Sequence, residues 1–520
     1  MRSRGSMFVL ALLLLTPFLL TTSSLAIPAF SRQYGTSCTT CHVNFPKLND
    51  FGKAFKDAGF KFPKDDESFL KVPPVMLGAP AQKELWPHTV FPGTIPGLPP
   101  IGLRYNQFFQ YTPNSANNYN PAGSVDPTNP TVPRTDFESG LFSIFMAGNF
   151  GSDIAFWVDD DLSVSGANSN GGLGDGYLKF VNIGRFFKLP TDSLSLRVGQ
   201  FELDLPFSQA RSINISPWDI YTEANIGFSP TQNVNNVMGM ADGMQGFEIS
   251  GGHQYRGYHY SLAVVNQNTS GTTTGAANVS SPGGFFSDSN YKDIYGRFSY
   301  RFNLEKDPAS RNDIQAAGAS GPRDHTSLSL GTFFFKGRSV QRFNGIDATD
   351  NATVLTAREP FYRVGGDFSF NYRTLNLFGL YMAGHDDNLL CQDTTGTVVP
   401  CSGGLGATLT PGSAAKFNGG FLEADYLVLP WVMGILRYDR VQSSADFLNA
   451  GIGSSTNYFS PVGSTRNRVT PGVQFLIHAN IKASFEYSIR PQQALAYDSN
   501  GKAINPFRTS TAAGALEFVY

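Results

Sequence analysis

The sequence predicts an all-β fold: a transmembrane antiparallel β-barrel of about sixteen strands, preceded by a small N-terminal domain of mostly helical or irregular structure. Three observations predict it. Charged residues make up only 15% of the 520 residues while aromatics reach 13%, whereas soluble domains carry about 25% charge. From Ile101 onward the chain breaks into short alternating segments with no sustained helical period. The connections between those segments alternate short and long, the rhythm of a barrel with tight turns on one rim and large loops on the other.

Composition excludes several other classes. With 39 basic against 41 acidic side chains the formal charge is −2, so there is no electrostatic basis for nucleic-acid binding. Hydrophobic content of 41% with 44 Phe is too apolar for a disordered chain. Four cysteines in this length cannot form a disulfide scaffold. A secreted β-sandwich or propeller is the soluble competitor, but no repeat of roughly 40–50 residues, which propeller blades require, is present.

Residues 1–26 read as a secretory signal peptide. Arg2 and Arg4 form the positive region, Met7 to Leu20 the apolar run, and Ser24-Leu25-Ala26 the small residues at the cleavage site. The run is shorter than the about 20 apolar residues a spanning helix needs, so the mature chain is expected outside the cytoplasm.

Residues 27–100 are expected to form a haem domain. Cys38-Thr39-Thr40-Cys41-His42 is the Cys-x-x-Cys-His attachment signature of c-type haem. Two thiols at this spacing reach the two vinyl groups of one haem, and His42 then lies under the iron as proximal ligand. A redox disulfide would want a βαβ context that does not follow, and a zinc site would need further ligands, yet the next cysteine is Cys391. Met76, in Val72-Pro73-Pro74-Val75-Met76, and His88, in Trp86-Pro87-His88, are the candidate sixth ligands, and five-coordinate iron is the third arrangement. Pro46 fits the first position of a helix carrying Leu48, Phe51 and Phe55 on one face, with Gly59 at the position that stops it.

Residues 101–520 carry the barrel. Strands are expected to begin near Ile101, Leu141, Ile154, Tyr177, Leu194, Met244, Tyr258, Tyr291, Ser327, Phe361, Leu375, Gly420, Val432, Val469, Ile481 and Ala512. Ile481 to Ile489 shows the alternation of apolar and polar positions most clearly. Short turns are expected at Phe150-Gly151-Ser152, Arg373-Thr374, Pro430-Trp431 and Asn480, and long loops at 113–135, 207–243, 385–418 and 491–510. If both termini lie in the periplasm, parity places all those long loops outside; only the long stretch 303–325 falls on the periplasmic side. Leu516, Phe518 and Tyr520 resemble the terminal strand signal of outer-membrane barrels. Cys391 and Cys401 fall in one outer loop, where a disulfide would act as a staple. Asp159-Asp160-Asp161 and His385-Asp386-Asp387 are read as solvated strand ends, not metal sites.

Phe30-Ser31-Arg32-Gln33, Cys38-Thr39-Thr40-Cys41-His42, Phe45-Pro46-Lys47-Leu48, Phe51-Gly52-Lys53 and Phe55-Lys56 together resemble the fused monohaem cytochrome–porins of the bacterial outer membrane, known best from iron oxidisers. The resemblance implies electron transfer across the outer membrane, between an extracellular metal ion such as Fe(II)/Fe(III) or another redox donor or acceptor and a periplasmic cytochrome. It implies that Cys38, Cys41 and His42 carry the haem. The long proline-rich stretch from Phe62 to Pro100 departs from that pattern, and the haem domain is expected to fold into the lumen as a plug. A haem enzyme of peroxidase type with five-coordinate iron, and a porin whose haem domain is only a structural plug, are the competing functions.

Overall fold

The computed structural model describes residues 29–520 except 64, 88, 90, 113–115, 120–124, 133–134, 163–171, 223–239, 241–242, 267–290, 305–325, 347–351, 388–389, 393–397, 401–414, 444–464, 491–492, 498–502 and 509. The signal-peptide segment 1–26, His88 and Cys401 therefore lie outside the described residues.

Sixteen antiparallel strands close into one ring. They are β1 (Ile101–Tyr111), β2 (Thr135–Phe150), β3 (Ile154–Leu162), β4 (Gly172–Phe180), β5 (Ser195–Phe201), β6 (Met244–His253), β7 (Arg256–Asn266) and β8 (Lys292–Asn303). The second half comprises β9 (Ser327–Ile346), β10 (Ala352–Tyr372), β11 (Leu375–Asp386), β12 (Ala415–Leu429), β13 (Val432–Ser443), β14 (Thr465–His478), β15 (Ile481–Ser488) and β16 (Thr511–Val519). Each pairs with its neighbours in sequence, and β16 closes on β1. Every strand start expected from the sequence falls within one of these strands or one residue before it. The largest shift is at β9 and β10, whose pairing extends out to Ile346 opposite Ala352. That extension is rich in polar residues at both parities, so no alternation marks it in the sequence.

Alternation places apolar groups outside and charge inside. Along β13, Met433, Ile435, Arg437, Asp439 and Val441 are buried, while Leu436 and Tyr438 are exposed. Outward Phe247, Phe298, Phe334, Tyr362, Tyr426 and Phe485 are exposed in the same way. An apolar band of this extent is not a water-facing surface; it is the lipid-facing pattern of a transmembrane barrel.

One rim carries the tight turns 151–153, 254–255, 373–374, 430–431 and 479–480. The long connection between β8 and β9 lies on this same rim, opened by the bond from Leu304 N–H to Thr326 O (2.9 Å).

Two insertions bond to inward-facing side chains of the barrel wall. The first is the N-terminal plug, built from α1 (Ala29–Tyr34), a two-stranded turn pairing His42–Asn44 with Lys47–Leu48, and α2 (Asp50–Asp57). Its contacts lie toward the tight-turn rim: Asn149 donates to Phe60 O (3.4 Å), Lys47 to Asn376 (2.6 Å), Asn44 to Gln474 (2.7 Å), Lys482 to Phe45 O (2.8 Å) and Arg301 to Asp50 (2.8 Å). The second insertion follows β5, where residues 202–222 turn inward. Glu486 accepts from Ile215 N–H (2.6 Å) and Ser216 Oγ (2.6 Å), Glu423 from Trp218 Nε1 (2.7 Å), and Arg437 donates to Ser216 O (2.8 Å).

The plug corrects one local expectation. Pro46 is not the first residue of a helix; it sits in the turn between the two short plug strands, and α2 begins at Asp50 behind the cap Asn49. The side chain of Asn49 accepts from Gly52 N–H (2.9 Å), satisfying one of the free donors at the helix start. The helix does end as expected, with Gly59 at φ +78° just past its cap.

Placing a charge at the lipid-facing midpoint of β13 tests the outward assignment. Leu436→Arg is expected to destabilise the barrel by about 2–4 kcal/mol, measured by urea unfolding in lipid vesicles. An unchanged midpoint would show that Leu436 does not face hydrocarbon.

Candidate functional site

Cys38, Thr39 and Thr40 form one turn of 3-10 helix, closed by Cys41 N–H donating to Cys38 O (3.2 Å). Asn49 holds this turn against α2. Its backbone N–H donates to Cys41 O (2.9 Å), and its side-chain amide donates to Thr40 O (3.0 Å) and Thr39 O (3.3 Å). One residue therefore caps the helix and clamps the Cys-x-x-Cys segment. Gly52 is part of the same fit, because a Cβ there would lie 2.2 Å from Cys41 O.

His42 begins the plug turn directly after Cys41. Its Nδ1 is 3.1 Å from Pro46 O. A carbonyl only accepts, so Nδ1 carries the proton and the Nε2 lone pair is left for a metal. Burial, with Lys482 adding to it, pushes the imidazole down to about 4 against the pull of its backbone partners, so the ring is neutral at ordinary pH. Phe45 packs edge-on to it at 5.6 Å.

Both thiols are free and half-buried. Burial raises the Cys38 thiol, with Ser31 working the other way, and burial with the nearby Cys38 pushes Cys41 up to about 12. Cys41 rests against an aromatic cluster of Tyr34, Phe51, Phe55, Phe60 and Phe62. Tyr34 stacks on Phe62 at 4.5 Å and its hydroxyl donates to Asp66 (2.8 Å). Phe60 meets Trp157 of β3 at 5.7 Å, which seats the cluster on the barrel wall. As a donor set, two unpaired thiols and a neutral imidazole with a free Nε2 fit a covalently held haem.

The other candidate residues are placed elsewhere. Met76 is exposed on a two-residue ribbon, Val75–Met76, paired with Thr94–Ile95. That ribbon lies by the β2–β3 turn, where a Cβ on Gly151 would stand 3.8 Å from Thr94 Oγ1. Cys391 lies in a short strand, Leu390–Gln392, opposite Val399; Cys401, expected from the sequence to pair with it, is outside the described residues. Asp159 accepts from Trp157 Nε1 (3.1 Å) and serves the wall of β3. His385 reaches Asp387 at 3.0 Å. Among the described residues no group of three or more His, Cys, Asp or Glu side chains could hold a metal ion.

Sequence reasoning missed Asn49 and the inner segment. An Asn immediately before Asp50 and Phe51 is a helix-start signal, and it was available. Trp218 and Ile220, buried in a segment rich in loop-forming residues, had no periodic signal to announce them.

No protein-family model and no curated protein matches the chain. Solved structures similar to it include OmpT of Vibrio cholerae in a trimer form, at 8% identity over 81% of this chain and 98% of that one, TM-score 0.43. An anion-selective porin from Comamonas acidovorans aligns at 11% identity over 81% and 98%, TM-score 0.43. Salmonella typhi OmpF in complex with daunomycin aligns at 11% identity over 81% and 97%, TM-score 0.44.

Replacing Gly by Ala inside an ordinary helix stabilises by about 1 kcal/mol. Gly52→Ala is expected to do the reverse, because its methyl group would displace Cys41 O and loosen the clamp. Hydrogen exchange at the Asn49 amide is the measurement; protection equal to that of the parent protein would refute the close packing.

Proposed function

We propose that this chain is a bacterial outer-membrane protein that carries one haem c on Cys38, Cys41 and His42 and passes electrons across the membrane. Its partners on this reading are an extracellular donor or acceptor, Fe(II)/Fe(III) among them, and a periplasmic cytochrome. The observation that carries it is the Cys-x-x-Cys-His segment whose following turn is bonded to the wall of a closed barrel at Gln474 and Lys482, with His42 Nδ1 tied to Pro46 O and Nε2 free.

Bound there, haem supplies a one-electron couple. The chain's own residues supply everything else. Cys38 and Cys41 provide the covalent tether, His42 the proximal nitrogen, and Asn49 the clamp that fixes their spacing. Pro46 O orients the imidazole and keeps its proton on Nδ1. The cluster around Phe51, Phe55 and Phe62 shields the Cys41 side from water. A lipid-facing band about 25 Å tall separates the two compartments, and tunnelling decays exponentially with distance. A centre carried inside the lumen shortens the gap that one hanging below the membrane would leave.

A barrel whose plug is only structural is the second reading, favoured by the breadth of plug–wall contacts from Asn149 to Lys482.

Protein matured in a haem-attaching host separates the two. The expected results are one covalent porphyrin by mass spectrometry, a c-type α-band, and loss of both in a Cys38→Ser/Cys41→Ser variant that still folds. In proteoliposomes, Fe(II) added outside is expected to reduce the haem. No added porphyrin mass would end the redox reading; attached porphyrin without coupling to the outside would leave the plug. A methionine charge-transfer band that disappears in Met76→Ala would assign the sixth ligand, and its absence in the parent would remove Met76.

A further inference from the structure

A cavity of about 260 Å³ lies between the plug turn and α2, the inward segment after β5, and the walls of β5 and of β7 through β12. It is far larger than one water requires, about 10–15 Å³. Cationic side chains enter it from two sides: Lys53 and Lys56 from α2, one turn apart, and Arg197, Arg297 and Arg301 from the wall.

Most of this charge is matched. Arg301 and Lys53 meet Asp50 (2.7 and 3.3 Å), Arg297 meets Asp367 (3.0 Å), and Arg211 meets Glu202 (2.7 Å). Arg197 is paired with Glu248. The carboxylates nearest α2 are engaged as well: Asp204 by His259 (2.9 Å) and Asp57 by Gln254 N–H (3.0 Å). The Lys56 side chain makes no hydrogen bond and no ion pair among the described residues. Three further donors lining the cavity are buried without a partner: Arg197 Nε, Arg297 Nη1 and Arg301 Nε. The Arg297 and Arg301 side chains are only 9% and 4% exposed. Arg211, then burial, then Arg197 push the Lys56 ammonium down to about 8, against the pull of Asp204 and Asp57.

Buried charged donors left without acceptors are costly. Orphaned oxygens of Glu202, Asp367 and Asp425 also border the space, but each of those carboxylates already has a cation on its other oxygen. We propose that this cavity binds one small multivalent oxyanion, of the phosphate or sulfate class, held by Lys56 from the plug and by Arg297, Arg301 and Arg197 from the wall. The anion bridges α2 to the barrel and so ties the plug to its seat. This site is independent of the haem assignment.

Inorganic phosphate is the probe, titrated at low salt into the full-length protein in detergent micelles and followed by calorimetry and phosphorus NMR. Saturable one-to-one binding is expected, about tenfold weaker in Lys56→Gln, retained in Lys56→Arg, and competed by sulfate. Lys56 has no partner to strand, so the variant is expected to keep its strand content by circular dichroism. Lys83→Gln, in the exposed helix Pro80–Leu85, is the neutral control. Non-saturating binding by the parent protein, or equal affinity in Lys56→Gln, would overturn the proposal.

Discussion

Everything in this molecule depends on the seam between its last strand and its first. β16 pairs with β1 from Ala512–Tyr111 to Val519–Arg104, and the seam is finished by Tyr520 N–H to Leu103 O (2.8 Å) and Leu103 N–H to Tyr520 O (2.7 Å). In hydrocarbon an unpaired amide has no water to turn to and costs several kcal/mol. A sheet with outward Leu436, Tyr438 and Phe485 therefore has to close on itself. Closure also creates the lumen, and with it an interior in which alternate residues are free to be charged.

That interior determines how the plug is held. Arg363, Arg437 and Arg468 are among the most deeply buried side chains of the chain, and a buried charge is tolerated only when paired. The pairs join separate parts of the sequence: Lys47 of the plug with Asp425 of β12 (2.6 Å), Asp50 of α2 with Arg301 of β8 (2.7 Å), and Asp219 of the inner segment with Arg468 of β14 (2.9 Å). Removing one member of such a pair costs about 3–5 kcal/mol because the other is stranded. Plug, inner segment and wall are thus one electrostatic unit rather than a barrel with appendages.

The strands were legible because lipid on one side and charge on the other impose a period of two, visible without any tertiary information at Ile481–Ile489. The limits of that signal are equally physical. Where β9 and β10 extend as a ribbon to Ile346 and Ala352, no apolar band marks the residues and the sequence reads as loop. The Cys-x-x-Cys-His turn was legible because its chemistry is tied to spacing. Its support was not: Asn49 works through backbone oxygens of Thr39 and Thr40, and Lys482 reaches Phe45 O from more than 400 positions away in the chain. Such contacts exist only once the ring has closed. The helix start was misplaced at Pro46 because a proline suits a first helical position, yet Asn49, with a side chain able to accept from Gly52 N–H, is the stronger cap.

The distribution of plug contacts bears on what the lumen can do. Arg32, Phe60, Asp57, Asp50, Lys47, Asn44 and Phe45 are bonded to Ile101, Asn149, Lys179, Arg301, Asn376, Asp425, Gln474 and Lys482, which lie on eight of the sixteen strands. Those strands run around the ring from β1 through β4, β8 and β12 to β15, so the plug is held from all sides rather than hinged at one. A segment tethered on one side swings aside to let solute pass; one bonded around the circumference has no free edge about which to swing. The inner segment after β5 is pinned as firmly, by Glu423, Arg437, Asp439 and Glu486. The plug turn that begins at His42 is held directly by four wall residues: Gln474 at Asn44, Lys482 at Phe45, and Asn376 and Asp425 at Lys47.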